Sequence, residues 1–255
     1  MKNTVERRKE ILTRLMDQGQ IFIPELSKEY LVSEVTIRND LDQLEKRNQL
    51  IKVRGGAIKI SQHVGTDPAI TQKKEINIAQ KERIGLAAAE LIQNHDTVLI
   101  DSGSTTAQIV KHLDETQELT LLTNAINIAN LAINLSNTNV IIPGGYLRKN
   151  SSSLVGPLAE ENLRNFFVDK VFIGVDGFDT RSGLYTPNLE EGYLNKLMIE
   201  ISKEVIVVCD SSKFKKKSLT FICNTEKIDK VITDQDIEPE DKLRLIDAGI
   251  DLIIV

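Results

Sequence analysis

The chain has 255 residues, of which 41% are hydrophobic and 4% aromatic, and its formal net charge is −5. This length predicts one large domain or two of ordinary size, with enough apolar residues for a substantial aliphatic core. No run of 18 apolar residues occurs, and residues 1–8 lack the apolar segment of a signal peptide. We therefore expect a cytoplasmic protein without a transmembrane helix.

The charge distribution and the cysteines further limit the classes of function that fit this sequence. Residues 1–60 carry a net charge of +3, whereas the remainder carries −8. A weakly basic head on an acidic body is compatible with a DNA-binding module joined to a second domain. Cys209, Cys223 and the scattered histidines His63, His95 and His112 lack the spacing of metal ligands. We expect no metal site, no cofactor and no disulfide.

Two helices are predicted at the start of the head. The apolar spacing predicts a first helix over residues 7–17, and Gly19 ends it where left-handed backbone is favoured. A short apolar link, Ile21–Ile23, follows. Pro24 then opens a second helix that runs to Tyr30, as proline does in a first helical turn. Helix, short turn and helix are the layout of a helix-turn-helix.

The third predicted helix begins after Ser33, a good N-cap, and has one apolar and one polar face. Its apolar stripe consists of Ile37, Leu41 and Leu44, spaced as one side of a helix. Off that stripe lie hydrogen-bonding side chains of the kinds that reach base edges and phosphates: Thr36, Arg38, Asn39 and Gln43. These features suit a DNA-reading helix, and an ordinary amphipathic surface helix is the alternative.

A hairpin is predicted after the third helix. Apolar residues alternate on both sides of the turn Arg54-Gly55-Gly56, namely Ile51, Val53, Ile58 and Ile60. A hairpin at this position is a wing, and its cations suit the phosphate backbone: Lys52, Arg54 and Lys59. The two glycines allow close approach to that backbone or form a plain tight turn. The predicted DNA contacts are Ser33, Thr36, Arg38, Asn39, Gln43, Lys52, Arg54, Gly55 and Gly56.

The rest of the chain predicts a linker followed by an α/β domain. We assign residues 1–60 to the head, 61–79 to a linker with glycine and proline, and 80–255 to the body. Residues 70–92 are predicted to be helical. From Thr97 onwards, short apolar runs alternate with helical patterns, which predicts a mostly parallel sheet with helices on both faces. Ligands of such sheets bind at the carboxyl ends of the strands.

A cluster of small polar residues follows the first body strand, 97–100. Residues 101–106, Asp-Ser-Gly-Ser-Thr-Thr, combine hydroxyls with a glycine and lead into a helix, so we interpret them as an anion site. A simple N-cap by Ser104 or Thr105 is the alternative. The chain has no Walker lysine and no G-x-G-x-x-G motif, which disfavours nucleotide binding.

Later strand ends add carboxylates, an amide, cations and glycines. Carboxylates accept hydrogen bonds from the hydroxyls of a polyol, while Lys213 suits a phosphate or carbonyl oxygen. Gly144-Gly145 is also compatible with a simple turn. The predicted effector-binding residues are Asp101, Ser102, Gly103, Ser104, Thr105, Thr106, Thr123, Asn124, Gly144, Gly145, Arg148, Asp176, Asn188, Glu190 and Lys213.

Two sets of motifs resemble the DeoR family of bacterial transcriptional repressors. The head motifs are Val32–Leu41, Leu44-Glu45 and Arg54–Ala57. The body motifs are Asp101–Thr106, Thr123-Asn124, Gly144-Gly145, Gly174–Gly177 and Asp210–Phe214. Asn39 stands where the family more often has arginine, and Arg54 where it more often has an aromatic residue or histidine. Asp210–Phe214 with Ser218-Leu219, and Arg148 with Ser151–Ser153, look closest to the N-acetylgalactosamine and glucitol repressors.

The resemblance implies an N-terminal winged helix-turn-helix and a C-terminal Rossmann-like α/β effector domain similar to sugar-phosphate isomerases. It also implies double-stranded operator DNA and a phosphorylated sugar or polyol as partners, and no enzymatic activity. We expect a homo-oligomer, a dimer or tetramer, because a lone head makes too few phosphate contacts for tight binding. An isomerase with an accessory head is the alternative, with Asp176, Asp179 and Lys213 as its acid, base and stabiliser. An activator built from the same parts is a third hypothesis.

Overall fold

The structure is a computed structural model that describes three stretches of the chain: residues 4–45, 49–59 and 65–255. The described residues fall into two compact units. The first consists of Met1–Gln62 and Glu75–Asn77, and the second of His63–Lys74 and Ile78–Val255. The predicted boundaries at residues 60 and 80 stay a prediction. The structure does not describe Ile60 of the predicted wing or residues 61–64 of the predicted linker, which include His63.

The first unit combines helices with a small antiparallel sheet. Its described helices are α1 (Thr4–Gln18), α2 (Ile23–Tyr30) and α3 (Glu34–Glu45), and its described strands are β1 (Gln20–Phe22), β2 (Ile51–Val53) and β3 (Gly56–Ile58). β3 lies between β1 and β2 and is antiparallel to both. The helices and the β2–β3 hairpin form the winged helix-turn-helix that the sequence predicts.

The short apolar link predicted at Ile21–Ile23 is wrong. Gln20–Phe22 forms β1, which adds a third strand to the wing, and Ile23 already belongs to α2. Ile21 is 1% exposed and faces the core, whereas Phe22 is 44% exposed. A strand of three residues contains too few alternations for its period to be recognised from sequence.

The predicted apolar stripe of α3 is confirmed. Ile37, Leu41 and Leu44 are at most 2% exposed and belong to one apolar cluster with residues of α1, α2 and the strands. Gly19 ends the first helix with φ 75°, as predicted from its freedom to adopt left-handed backbone. The core of this unit is therefore aliphatic and holds α3 by its inner face.

A buried ion pair also holds α3. Asp40 is 1% exposed and accepts hydrogen bonds from Arg7 Nε at 2.5 Å and from Arg8 Nε at 2.7 Å. Both arginines belong to α1. The carboxylate is thus satisfied by two cations, as a buried charge requires. This contact fixes α3 against α1 at the position next to its exposed face.

The second unit contains a large parallel sheet and smaller antiparallel pieces, all within the described residues 65–255. The large sheet comprises β4 (Thr97–Ile100), β5 (Leu119–Leu122), β6 (Thr138–Ile141), β9 (Val168–Gly174), β12 (Ser202–Val208), β14 (Lys230–Thr233) and β15 (Asp251–Ile254). The smaller sheets comprise β7 (Tyr146–Arg148), β8 (Ser153–Val155), β10 (Gly177–Asp179), β11 (Gly183–Thr186) and β13 (Thr220–Phe221).

Helices surround the large sheet of this unit. They are α4 (Ile70–Lys73), α5 (Ile78–Glu90), α6 (Thr106–Lys111), α7 (Ile126–Ala132), α8 (Pro157–Leu163), α9 (Leu189–Glu200) and α10 (Pro239–Asp247). The single helix predicted over 70–92 is wrong, because Asn77 has left-handed backbone with φ 50° between α4 and α5. Asparagine visits that conformation more readily than most residues.

Alternate residues of each strand face opposite sides of the sheet. Leu99 belongs to one apolar cluster with α8, α9 and α10, whereas Val98 and Ile100 belong to another with α5, α6 and α7. Burial on both sides requires the near-continuous apolar runs that marked these strands in the sequence. The Rossmann-like α/β architecture predicted from sequence is confirmed.

The strand order reverses direction in the middle of the sheet. The order is β15-β14-β12-β9-β4-β5-β6, and all neighbouring pairs are parallel. The chain therefore runs from β4 towards the β6 edge of the sheet and from β9 towards the β15 edge. This reversal separates the loops that follow β4 and β9 and opens a crevice at the carboxyl ends of these strands.

Replacing Asp40 by alanine leaves two arginines, one of them buried, without their anion. We expect Asp40→Ala to lower the free energy of unfolding of the first unit by about 3 kcal/mol. Native-state hydrogen exchange of α1 and α3 amides measures this loss. Asp42→Ala is the matched control, because the partly exposed pair of Asp42 with Lys52 contributes less than about 1 kcal/mol. Equal losses in the two variants would contradict the role given to Asp40.

Candidate functional sites

The outer face of α3 presents polar side chains to solvent. Arg38, Asn39 and Gln43 are exposed, as predicted for a reading helix. Ser33 and Thr36 are engaged in the helix cap: the Thr36 N–H donates to Ser33 Oγ at 3.2 Å, and the two hydroxyls are 2.9 Å apart. The predicted cap by Ser33 is confirmed, and the outer polar surface of α3 is formed by the three exposed residues.

Arg38 is held by an exchangeable contact. Its Nη2 donates to Glu34 Oε2 at 2.7 Å, and the two side chains are 54% and 45% exposed. Exposed ion pairs of this kind contribute at most about 1 kcal/mol. Another hydrogen-bond acceptor can therefore replace Glu34 as the partner of Arg38 at little cost.

The two wing glycines have different roles. Gly55 has φ 87°, which a turn residue with a side chain rarely adopts. Gly56 is buried, and a Cβ there would lie 2.0 Å from the carbonyl oxygen of Ile21. Gly56 thus permits the close approach of β3 to β1, within the protein, rather than an approach to DNA.

The wing cations are unequally placed. Arg54 is exposed at the turn. Lys52 forms an ion pair with Asp42, and its backbone N–H donates to Glu45 Oε1 at 2.8 Å. Lys59 is exposed, but its Nζ donates to the carbonyl oxygen of Met16 at 3.4 Å. Arg54 is therefore the wing cation best presented to a phosphate.

The second unit has a pocket at the crevice where the strand order reverses. Its lining comes from the segments that follow β4, β9 and β12, from the turn between β7 and β8, from the end of β11, from α9 and from the segment before α5. The lining residues are Pro68, Ile70, Lys73, Asp101, Ser102, Gly103, Ser104, Thr105, Ser151, Gly174, Val175, Asp176, Thr186, Glu191, Asn195 and Lys213. The predicted cluster after β4 therefore forms one wall of this pocket.

The loop after β4 is held by hydrogen bonds to the residues that follow β5. Asn124 Oδ1 accepts a hydrogen bond from the Ser102 N–H at 3.1 Å, and Thr123 Oγ1 donates to the Ile100 carbonyl at 2.7 Å. A Cβ at Gly103 would lie 2.7 Å from Thr106 Oγ1, a buried hydroxyl without a hydrogen-bond partner among the described residues. Thr123, Asn124 and Thr106 lie outside the lining and shape the loop that forms it.

A lysine pair brackets the carboxylate of Asp176. Lys73 Nζ lies 2.7 Å and Lys213 Nζ 3.7 Å from Asp176 Oδ1. Burial alone would raise the pKa of Asp176, but the two ammonium groups outweigh it and hold that pKa below its usual value. Asp176 is therefore an anion that positions both lysines at the pocket. The sequence identified Asp176 and Lys213 but not Lys73, which it placed in a linker.

Arg148 lies behind the lining in a network of acceptors. Its guanidinium donates to Ser151 Oγ at 2.9 Å, to Glu191 Oε1 at 3.1 Å and to the carboxylate of Asp67. Ser153 Oγ also donates to Glu191 Oε1, at 2.9 Å. Arg148 is thus joined to the pocket through Ser151 and Glu191, both of which line it.

Asp101 lies at the floor of the pocket beside another acid. Burial, and next the nearby Glu191, raise the pKa of Asp101 to about 8, although the N–H groups of Ser102 and Gly174 and the amide of Asn195 oppose this shift. Near neutral pH this side chain is therefore largely protonated and can donate a hydrogen bond. It differs in this respect from Asp176.

Several predicted effector residues lie away from the lining. Glu190 is exposed, while the next residue, Glu191, faces the pocket. Asn188 caps α9, its Oδ1 accepting from the Glu191 N–H at 3.0 Å. Gly144 and Gly145 have φ 79° and 118° and lie in the irregular connection between β6 and β7, where a Cβ at Gly145 would lie 2.7 Å from the Val155 carbonyl oxygen. Glu191 and Asn195 are buried polar residues four apart on α9, and it is the packing of this helix, not a sequence motif, that turns them towards the pocket.

The acid, base and lysine of the isomerase alternative are not assembled in one place. Asp179 Oδ2 lies 3.1 Å from Lys217 Nζ, and Asp179 is outside the pocket lining. In the described ranges, no cluster of three His, Cys, Asp or Glu could hold a metal ion. Within the same ranges, no helix is long and apolar enough to cross a membrane.

Known proteins resemble both units. Residues 7–63 match the DeoR-like helix-turn-helix domain, and residues 76–235 match the DeoR C terminal sensor domain. A putative aga operon transcriptional repressor of Escherichia coli O157:H7 is 39% identical over 253 residues, 99% of this chain and 94% of the relative. The regulator GlpR of Haloferax volcanii is 30% identical over 248 residues, 97% of this chain and 96% of its own.

A solved structure of ribose 5-phosphate isomerase A from Methanocaldococcus jannaschii covers 54% of this chain and 55% of its own, with 17% identity and a TM-score of 0.41. That likeness is too weak to bear on function. A winged helix-turn-helix joined to a sensor domain defines a DNA-binding transcriptional regulator. The chain belongs to the DeoR family of such regulators.

The shifted pKa of Asp101 makes stability depend on pH. The folded protein keeps this proton up to about pH 8, whereas the unfolded chain releases it near the ordinary value of 3.8. The folded state binds more protons between these values, so the free energy of unfolding falls as pH rises through that window. We expect Asp101→Asn to remove up to ~1.4 kcal/mol per pH unit of this fall.

Urea unfolding at pH 5.5 and pH 7.5 measures this difference. Tyrosine fluorescence reports on the second unit, because Tyr146, Tyr185 and Tyr193 belong to it and Tyr30 alone to the first. Asp247→Asn, at an exposed position of α10, is the control. If the difference in free energy of unfolding between Asp101→Asn and the wild type is the same at both pH values, Asp101 is ionised in the folded protein and the assignment is wrong.

Proposed function

We propose that this regulator represses a sugar or polyol catabolic operon and is released from its operator by a phosphorylated sugar or polyol. The observation that carries the proposal is the pocket of the sensor unit, where two lysines lie opposite polar groups suited to hydroxyls. The relative named as a repressor of the aga operon supports repression rather than activation. An intracellular site of action follows from this role.

The head supplies operator recognition in this proposal. Arg38, Asn39 and Gln43 enter the major groove, where planar side chains distinguish base pairs. Arg54 at the tip of the wing contacts the phosphate backbone and contributes affinity that depends on salt. Thr36 and Ser33 shape the start of the helix. Two heads in a homo-oligomer, a dimer or tetramer, bind two spaced half-sites.

The pocket supplies effector recognition. The phosphate binds near Lys73 and Lys213 and accepts hydrogen bonds from the hydroxyls and N–H groups of residues 102–105. The hydroxyls of the ligand meet Glu191, which accepts hydrogen bonds, and Asp101, which donates one while protonated. Such a mixture of acceptors and donors fits a polyol, whose every hydroxyl can do both.

Release from DNA requires that the effector bind one arrangement of the heads better than another. The favoured arrangement is one that cannot span both half-sites. The effector therefore lowers operator affinity without touching the DNA-binding face, and the operator lowers effector affinity by the same factor.

The assignment of α3 as the reading helix is tested with Arg38→Ala. Loss of one base contact costs about 1–3 kcal/mol, so we expect operator affinity to fall at least about fivefold. Gel shifts on DNA upstream of the protein's own gene and its neighbours measure the change. Arg181→Ala is the matched control, because Arg181 is an exposed, ion-paired arginine of the sensor unit. Unchanged affinity in Arg38→Ala would show that another surface reads the operator.

The assignment of the pocket is tested by adding a panel of aldose, ketose and polyol phosphates to the same gel shifts. We expect one of them to release the wild-type protein from DNA. Lys213→Met should bind the operator normally but need at least about tenfold more effector for release, because a charge-assisted contact is lost. Lys242→Met, at an exposed position of α10, is the control for the loss of one positive charge.

Each result has a defined meaning. Release by one compound supports both the repressor and the effector class. Specific operator binding that none of the phosphates alters contradicts the assignment of the pocket but leaves the head assignment intact. Conversion of a sugar phosphate into its isomer, followed chromatographically, would favour the isomerase alternative.

A further inference from the structure

The segment of residues 65–73 forms one wall of the pocket. Pro68, Ile70 and Lys73 contribute to the lining. Residues 65–69 belong to neither a helix nor a strand, while Ile70–Lys73 forms the short helix α4. The backbone of residues 65–69 therefore depends on a few specific contacts rather than on a sheet. Along the chain, this stretch lies between the residues of the DNA-binding head and α5.

Asp67 and Asn150 hold this segment against the turn between β7 and β8. The Asp67 carboxylate pairs with Arg148, and its Oδ1 lies 3.5 Å from Lys73 Nζ. Asn150 Nδ2 donates to the Asp67 carbonyl oxygen at 2.8 Å, and the Ile70 N–H donates to the Asn150 carbonyl oxygen at 2.7 Å.

The far end of the segment is anchored independently. Lys81 Nζ, on α5, donates to the Lys73 carbonyl oxygen at 2.6 Å. Lys73 is also paired with Asp176, at the end of the sheet. Residues 65–69 can therefore leave the pocket while Lys73 stays in place.

Each cation of the site already has a carboxylate partner. Lys73 is shared by Asp67 and Asp176, Arg148 by Asp67 and Glu191, and Lys213 is paired with Asp176. An incoming anion must therefore compete with a carboxylate of the protein. Asp176 lies in the two-residue link between β9 and β10, where its N–H donates to the Tyr185 carbonyl oxygen at 3.2 Å, and Glu191 belongs to α9. Asp67 is the carboxylate of this set that lies in a longer irregular stretch, residues 65–69.

An exchange of anions on Arg148 and Lys73 costs less than loss of the Asp67 anion. Without a replacement, each of these half-buried cations would keep only one of its two carboxylate partners, Glu191 or Asp176. A phosphate that replaces the Asp67 carboxylate keeps both cations paired, brings up to two negative charges and offers three acceptor oxygens. The guanidinium of Arg148 can bind two of those oxygens at once.

We propose that Asp67 is a built-in competitor for the anionic group of the effector, which displaces its carboxylate from Arg148 and Lys73 and so detaches residues 65–69 from the pocket. This inference rests on the proposed function in that the effector is taken to be a phosphate ester. The displaced stretch is part of the covalent connection to the head. Effector binding thereby frees this part of the connection from the pocket.

Calorimetric titration of the full-length protein with inorganic phosphate tests the competition. We expect Asp67→Asn, which keeps the size of the side chain but removes its charge, to bind phosphate about tenfold more tightly than the wild type. Asp247→Asn removes the same charge from an exposed position of α10 and should bind like the wild type. Equal affinities in all three proteins, or equal gains in both variants, would overturn the proposal.

Hydrogen exchange of the wild-type protein tests the detachment without any substitution. The Ile70 amide, bonded to Asn150, should exchange at least about tenfold faster with saturating phosphate. Phosphate binding that leaves this amide equally protected would overturn the displacement of the segment while leaving the anion pocket of the proposed function standing. Absence of phosphate binding in all three proteins would contradict both.

Discussion

The parallel arrangement of the large sheet is the constraint on which the sensor unit depends. Parallel strands send every connection back over a face of the sheet, and the strand order must reverse where the two halves meet. Here the reversal lies between β4 and β9. The Asp101–Thr105 loop and Gly174–Asp176 are neighbours because β4 and β9 are paired, although some 70 residues separate them along the chain, and the reversal opens the crevice between them. Everything else that lines the pocket is arranged around these two loops.

The pocket combines two electrostatic environments within one cavity. On one side, Asp176 remains ionised because Lys73 and Lys213 flank it. On the other, burial and the proximity of Glu191 keep the proton on Asp101. In the proposed function, the lysines bind the charged end of the effector, and Asp101 and Glu191 meet its hydroxyl-bearing end, so the two ends are recognised separately.

Much of the fold could be predicted from sequence because its signals are local. The stripe of Ile37, Leu41 and Leu44 and the apolar runs of the parallel strands depend on periods of a few residues. The role of Gly56 depends on Ile21, some 35 residues away, and no local pattern reveals it. The site followed the same rule: Asp101 and Lys213 were identified from motifs, whereas Lys73 and Glu191 were missed. Lys73 reaches the pocket from a stretch that looks like a linker, and the choice between Glu190 and Glu191 requires the rotation of α9.

The buried contact of Asp40 with Arg7 and Arg8 separates two tasks within α3. The residues that hold the helix point inward, towards α1, while Arg38 and Asn39, directly before Asp40, point outward. Substitution at the outer positions leaves the packing of the head untouched. If α3 reads the operator as proposed, descendants of this chain can thus acquire a different target sequence through a few changes on one helix face, without having to evolve a new scaffold.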